Sequence, residues 1–153
     1  MLLQEELGKL KMWKKPKTNW HGETDPNGKY TGDRFNASDF NRIKNNIQHL
    51  RDIAIILYNT FDITSLGRDR TPVDYFYADE INQLWKDLNT INEKTFKINY
   101  TDIPLYEDEK RTMHYRELNK LEESILELYH LLKNQYYSRR KFKWNFGMGG
   151  GEF

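Results

Sequence analysis

Apolar residues recur at helical spacing in three separate stretches of this chain. The intervals alternate between three and four residues, which places the apolar side chains on one face of an α-helix and gives a coiled-coil-like seam. The pattern predicts a mainly α fold with three principal helices, near residues 37–61, 72–94 and 112–137. The seam positions are Phe40, Ile43, Ile47, Leu50, Ala54, Leu57 and Phe61; Ile81, Leu84, Leu88 and Ile91; and Leu118, Leu121, Ile125, Leu128 and Leu132.

The three predicted helices share the same start. A bulky residue is followed by three spacers, an acidic residue, an apolar residue and an asparagine, and the copies begin at Phe35, Phe76 and Met113, 41 and then 37 residues apart. Repetition at this period indicates one helical unit used three times. The shared polar positions are Asp39, Glu80 and Glu117 for the acid, and Asn41, Asn82 and Asn119 for the asparagine.

These polar positions have structural explanations. The acids lie near helix N-termini, where the helix dipole favours negative charge. Asn36 suits the N-cap of the first helix, with Asp39 placed three residues later in a variant of the capping box. Thr71 and Pro72 suit the N-cap and the first position of the second helix. Asparagine is unfavourable inside a helix, so its repetition at one register predicts an amide bonded to a backbone group outside its own helical turn, with contact to a ligand as the alternative.

Turn-forming and alternating residues define the segments outside the helices. The turn Asp25–Gly28 combines Pro and Gly and predicts a short hairpin within an N-terminal arm of residues 1–35. Residues 36–137 are the predicted helical domain. Residues 138–153 are predicted to form a C-terminal strand and a glycine-rich tail, because aromatic and polar residues alternate there. The alternating aromatic residues are Phe142, Trp144 and Phe146.

Composition and motifs argue against several classes of function. The chain has 24 basic and 23 acidic side chains, so its net charge gives no overall attraction to nucleic acid. It has no cysteine, which excludes disulfides and thiolate chemistry. No apolar run approaches the roughly 18 residues of a membrane span. No catalytic fingerprint or metal-binding spacing of the four histidines is present. We therefore expect no enzymatic activity, no catalytic or metal site, no cofactor and no membrane partner.

Aromatic residues make up 14% of the chain, and many lie outside the predicted helices. Exposed together they would form an apolar patch unusual for a monomer, so we expect the terminal arms to assemble the chain into a homo-oligomer or a hetero-complex. The predicted interface residues are Trp13, Trp20, Arg139, Arg140, Phe142, Trp144, Phe146 and Phe153. The alternative is a cell-wall or nucleic-acid binding module. Residues 136–144 interleave basic side chains with aromatic rings, and such rings can stack on a sugar or a nucleobase.

Two stretches of the sequence carry a family resemblance. One combines Lys17-Thr18-Asn19-Trp20 with the first helix start, from Phe35 to Leu50; the other is the aromatic and glycine-rich end from Phe142 to Phe153. Together they resemble segments of tail and baseplate structural proteins of bacteriophages that infect Gram-positive bacteria, over about a third of the chain.

The resemblance implies a structural role in the virion, at the tail tip and in contact with other virion structural proteins. It also implies a protein made in the host cytoplasm and carried in the phage tail. Nothing in the chain resembles a separate receptor-binding β-domain, so the implied role is that of an adaptor or joining protein.

Overall fold

The fold consists mainly of helices. A computed structural model describes residues 10–74, 77–99, 106 and 114–148, with the backbone alone for residues 140–148. Within these ranges the helices are α1 (Ala37–Leu57), α2 (Ala78–Lys94) and α3 (Tyr115–Met148). The mainly α fold with three principal helices is therefore confirmed. None of the described helices combines the length and the apolar character that a membrane span requires.

A small hairpin precedes α1. Its strands, β1 (Gly22–Thr24) and β2 (Tyr30–Gly32), are antiparallel, and nearly all their residues are exposed. The Asp25 carboxylate accepts a hydrogen bond from the backbone N–H of Lys29 at 2.8 Å and so holds the turn. Gly28 has a φ of +83°, a left-handed conformation that glycine adopts without a steric penalty. The hairpin predicted from the turn residues is confirmed.

The seam residues predicted from the sequence form a common core. Those with no exposed surface are Phe40, Ile43, Leu50, Ala54, Ile91, Leu121, Ile125, Leu128 and Leu132. Helix α1 packs against both α2 and α3 along this core. Full burial of one such large side chain stabilises the fold by about 1.5–3 kcal/mol, so the apolar set is the main source of stability. Coiled-coil packing of the helices remains a prediction.

The first helix begins as its capping residues predict. The side chain of Asn36 accepts a hydrogen bond from the backbone N–H of Asp39 at 3.2 Å, and the Asp39 carboxylate accepts one from the Asn36 N–H at 3.0 Å. Helix α1 ends at Leu57, before the predicted end at Phe61. The residues that follow include an asparagine and a threonine, both weak helix formers. Phe61 is nevertheless buried, because the loop after α1 returns it to the core.

The second helix begins later than predicted. The Thr71 N–H and hydroxyl donate to the Asp74 carboxylate at 2.7 and 3.1 Å, and the Asp74 N–H donates to the Thr71 carbonyl at 3.0 Å. These bonds close a separate turn, so Thr71 does not cap a helix. Helix α2 begins at Ala78, after an N-cap residue, Tyr77, that makes no side-chain capping bond. The predicted start at Pro72 was therefore wrong.

The predicted C-terminal strand is not formed. Helix α3 continues without interruption through residues 142–146 and ends at Met148. Extending an existing helix adds one hydrogen bond for each residue without a new nucleation cost, and the arginines and lysines of residues 139–143 are good helix formers. A few alternating aromatic residues do not outweigh this preference. The predicted glycine-rich tail falls mainly on residues 149–153, which lie outside the described residues.

Candidate functional site

Asn41 binds the backbone of a distant residue through both atoms of its amide. Its Nδ2 donates to the Arg70 carbonyl at 2.8 Å, and its Oδ1 accepts from the Arg70 N–H at 2.6 Å. Two residues that face each other in an antiparallel ladder exchange the same pair of bonds. The asparagine side chain therefore stands in for a neighbouring strand, and we call this contact an amide clamp.

The other two repeated asparagines form the same contact. Asn82 clamps Tyr106, with bonds of 2.9 Å to its carbonyl and 2.8 Å from its N–H. Asn119 clamps Trp20, with bonds of 2.9 Å to its carbonyl and 2.7 Å from its N–H. All three amides thus bond backbone outside their own helical turns, which accounts for an asparagine at this register in each copy.

The three amide clamps connect the copies in a closed order. The asparagine of each helix clamps the residue that leads toward the next helix, and the asparagine of α3 clamps the residue that leads toward α1. Two of the clamped segments recur below. We call residues 14–20, which precede α1, lead segment 1, and residues 64–70, which precede α2, lead segment 2. The internal repeat is therefore cyclic in space as well as periodic in sequence.

In α3 and α1, a second contact lies three residues after the repeated asparagine. In α3, Glu122 accepts a hydrogen bond from the Lys17 N–H at 3.1 Å. In α1, the Lys44 ammonium donates to the Gly67 carbonyl at 2.8 Å. Lys17 and Gly67 each lie three residues before the clamped residue of their lead segment. The two lead segments are therefore held in the same register by side chains of opposite charge.

The following helix supplies a third contact at equivalent positions. Asn46 of α1 forms an amide clamp on Lys14, with bonds of 2.9 Å from its N–H and 2.7 Å to its carbonyl. Asp87 of α2 accepts a hydrogen bond from the Thr64 N–H at 3.0 Å. Each lead segment therefore lies between two helices: lead segment 1 between α3 and α1, and lead segment 2 between α1 and α2.

Further along the helices, the position ten residues after the repeated asparagine is also used. In α3 it is Tyr129, whose ring stacks on Trp13 with a centroid distance of 3.8 Å and an angle of 5° between planes. In α2 it is Asn92, which clamps Ile98 with bonds of 2.6 and 2.9 Å. The repeated unit therefore extends over about ten residues of helix, well beyond its start.

Lead segment 1 is attached to a buried ionic cluster. Glu122 has no exposed surface, and its two oxygens accept hydrogen bonds from Nε and Nη2 of Arg42, both at 2.9 Å. The same carboxylate accepts from the Trp20 indole N–H, and Arg42 also donates to Asp39 at 2.8 Å. Burial lowers the pKa of Arg42, but the hydrogen bonds and charges of Glu122 and Asp39 outweigh this effect, so the pKa is raised above its usual value. By bonding Lys17, Trp20 and Arg42, Glu122 anchors lead segment 1 to α1 and α3.

No known protein family, curated protein or solved structure matches this chain. The remaining repeated acids bond residues that precede their helices: Glu80 accepts from the Arg70 guanidinium at 2.8 Å, and Glu117 accepts from the Tyr106 hydroxyl. Among the described residues, no three histidine, aspartate or glutamate side chains are grouped to hold a metal.

The aromatic residues of the N-terminal arm contact the rest of the chain. Trp20 is only 3% exposed, and one face of Trp13 is covered by Tyr129. The Trp20 ring lies in the core of the fold, and its N–H bonds Glu122. A role for Trp20 at an assembly interface stays a prediction.

The C-terminal residues predicted at an interface lie at the end of α3. Arg139 is exposed, donates to the Leu57 carbonyl and places its guanidinium 5.1 Å from the Tyr58 ring centroid. Arg140, Phe142, Trp144 and Phe146 belong to the final turns of α3. Phe153 lies outside the described residues.

Sequence reasoning missed several members of the site. Asn46 and Asn92 lie inside helices, where asparagine is unfavourable, and this property could have identified them. Glu122 lies four residues after Leu118 and so falls on the apolar face of α3, where a charged residue needs a buried partner. Its partner, Arg42, gave no comparable signal, because nothing local connects residues that are 80 positions apart.

Proposed function

We propose that this chain is a non-enzymatic structural component of a bacteriophage virion, an adaptor or joining protein of the tail or baseplate. Lys17–Trp20 and Phe35–Leu50 carry the family resemblance. The observation that supports a structural role is the use of the repeated polar side chains: the asparagines and acids of all three copies bond the chain's own backbone and side chains.

Side chains of the fold connect these two stretches to each other. Trp20 and Lys17 are bonded by α3, and Arg42 of the second stretch joins them through Glu122. The stretches that resemble the phage proteins therefore include part of lead segment 1 and one of the two helices that hold it. A rigidly held extended segment is a suitable basis for joining other proteins, and we propose other virion structural proteins and further copies of the chain as the partners.

The proposal is tested by locating the protein in purified phage particles. Purified particles should contain the chain in a fixed ratio to the major tail protein, and a label fused to it should appear at the tail tip in electron micrographs. A particle assembled from a genome that lacks the gene should lose the tip or fail to complete the tail. Complete, infectious tails without the protein would contradict the proposal.

An internal control separates the proposed role from a general folding defect. Lys86 lies on α2 and is exposed, and its side chain forms no contact of the site. A Lys86→Ala variant should be incorporated like the unchanged protein. A variant that is folded in solution yet carries Asn119→Ala should be incorporated less, because lead segment 1 is then held by fewer bonds.

A further inference from the structure

Lead segment 1 has contacts equivalent to those of lead segment 2 but a different connection to its helices. Lead segment 2 begins seven residues after Leu57, the last residue of α1, and α2 begins eight residues after Arg70. Lead segment 1 is held by Asn119 and Glu122 of α3, which lie 99 and 105 positions away along the chain from their bonded partners. Its attachment to α3 is therefore made only by noncovalent contacts across the fold.

The connection between lead segment 1 and α1 contains the hinge that exchange would need. Fifteen residues, 21–35, separate Trp20 from Asn36, the N-cap of α1. Most of them form the exposed hairpin, whose base is closed locally by bonds between His21 and Asp33 at 2.9 and 3.0 Å. Because this base holds residues 21 and 33 together, the hinge itself lies in Arg34 and Phe35, between the hairpin and the N-cap. Lys17 pairs with Asp33 at 3.1 Å, so the hairpin moves together with lead segment 1 while the helices keep their own packing.

The groove that receives lead segment 1 recognises mainly backbone. Asn119 and Asn46 each bond the N–H and the carbonyl of one residue, and Glu122 bonds the Lys17 N–H. The contacts that depend on particular side chains include those of Trp20 with Glu122 and Arg42 and those of Trp13 with Tyr129 and His49. Identical residues in a second copy satisfy all these contacts equally well.

We propose that residues 10–20, which are lead segment 1 and the four residues before it, are exchanged between two copies of this chain. These residues of each copy then occupy the groove between α3 and α1 of the other copy. Exchange replaces each contact within a chain by the same contact between chains. The conformation of the hinge and the protein concentration therefore decide the ratio of monomer to exchanged dimer. The exchanged pair is a closed dimer with twofold symmetry. This inference does not depend on the virion role, because a protein with another function can exchange its arm in the same way.

The first test is the size of the full-length protein after refolding. Refolding at about 1 mM, the effective concentration typical of a short linker, should give a dimer that persists after dilution, and refolding from dilute solution should give a monomer. Sedimentation velocity distinguishes the two. A protein that remains monomeric after refolding at high concentration would overturn the proposal.

The second test uses the equivalence of the two lead segments. Asn119→Ala removes the amide clamp on lead segment 1, and Asn41→Ala removes the matching clamp on lead segment 2. Because exchange requires lead segment 1 to open, Asn119→Ala should accelerate the conversion of dimer to monomer about tenfold or more, the factor expected from losing hydrogen bonds of ordinary strength. Asn41→Ala should leave the rate unchanged.

The equilibrium proportion provides a further criterion. Monomer and exchanged dimer contain the same contacts for each chain, so Asn119→Ala should change the rate of conversion without changing the final proportion of dimer. An ordinary surface dimer would show no such selective acceleration. Equal rates for the unchanged protein and for both variants would therefore overturn the proposal.

Discussion

Lead segments 1 and 2 are bound in the same register by different chemistry. In the first, the middle contact comes from Glu122, which is fully buried and paired with an arginine; in the second, it comes from Lys44, paired at 2.8 Å with an Asp69 side chain that is 54% exposed. The geometry of the backbone contacts is shared, and both middle residues are buried. The partner charge differs, because the Arg42 side chain is 15% exposed whereas that of Asp69 lies mostly in solvent. The comparison shows that this fold fixes where a lead segment lies and leaves open how strongly its anchor depends on a paired charge.

Removing the buried anchor should have the largest effect. Glu122→Ala leaves Arg42 partly buried without its main partner, and breaking such a pair typically costs about 3–5 kcal/mol of the free energy of unfolding. Lys44→Ala removes a buried ammonium whose partners, the Asp69 carboxylate and the Gly67 carbonyl, belong to exposed residues that water can solvate, so it should cost less, about 1 kcal/mol. Urea unfolding of the two variants measures the difference. Equal losses would show that the burial of the anchor does not matter.

A double variant tests the origin of that loss. Replacing Glu122 and Arg42 together by Leu and Met removes both charges, and exchanging a buried pair for apolar residues is often nearly neutral. We expect the double variant to be more stable than Glu122→Ala alone. A double variant as unstable as the single one would assign the loss to the bonds with Lys17 and Trp20 instead.

The amide clamps should be of intermediate and similar strength in the two segments. Asn119→Ala and Asn41→Ala each remove two hydrogen bonds, and we expect each to cost about 2 kcal/mol of the free energy of unfolding. Hydrogen exchange should separate them: the Trp20 amide should lose protection in the first variant and the Arg70 amide in the second. Loss of protection in both segments from either change would show that the segments open together.

The third contact allows the two segments to be made alike. Asn46 bonds both backbone groups of Lys14, but Asp87 only accepts from Thr64. Asp87→Asn supplies the missing donor and removes a buried charge, so we expect stabilisation by about 1 kcal/mol at pH 7. Thermal or urea unfolding provides the measurement, and Asn46→Asp is the matched change in the opposite direction.

The pH dependence of that variant has a definite sign. Burial raises the pKa of Asp87, although the bonds from Gln83 and Thr64 partly oppose the shift. The folded state therefore holds the proton more tightly than the unfolded state, and the unchanged protein gains stability as pH falls through the folded pKa toward 3.8. The difference in the free energy of unfolding between Asp87→Asn and the unchanged protein should therefore decrease over the same pH range. A difference that stays constant with pH would contradict this account.

The smallest expected effect on stability comes from His49, which contacts the chain just before lead segment 1. His49 contacts the Lys11 carbonyl, and burial lowers its pKa below 6.5, with the Lys11 bond opposing the shift. Below pH 6.5 the unfolded state binds more protons, so stability should fall until the pH passes the lower folded pKa. Unfolding of His49→Gln should lack this part of the pH slope between pH 8 and 5. The same slope in both proteins would exclude His49 as its source.

Local sequence patterns were enough to predict the helices and the core. The apolar spacing that placed Ile47 and Ile125 on seams also determines which faces are buried, because both depend on the period of the helix. The repeated asparagines were recognisable because their register contradicts helix propensity. The hairpin was recognisable because a turn of Pro and Gly acts within a few residues.

The remaining features depend on contacts between distant parts of the chain. The end of α3 followed helix propagation and not the alternation of Phe142 and Trp144. Trp20 was expected at an interface, and only the position of Glu122 shows why its ring is buried. The turn closed by Thr71 resembles a helix cap in sequence, and the two differ only in the backbone that follows.

The hairpin distinguishes the first copy from the others and has a practical consequence. Trp20 precedes Asn41 by 21 positions, whereas Arg70 precedes Asn82 by 12, and the exposed hairpin lies within the longer interval. The fold thus already accommodates extra residues between a clamped residue and its helix. Exposed loop tips of this kind accept foreign sequence most readily. The turn at residues 25–28 is therefore a permissive position for displaying a peptide or a fluorescent tag without disturbing the helices beneath it.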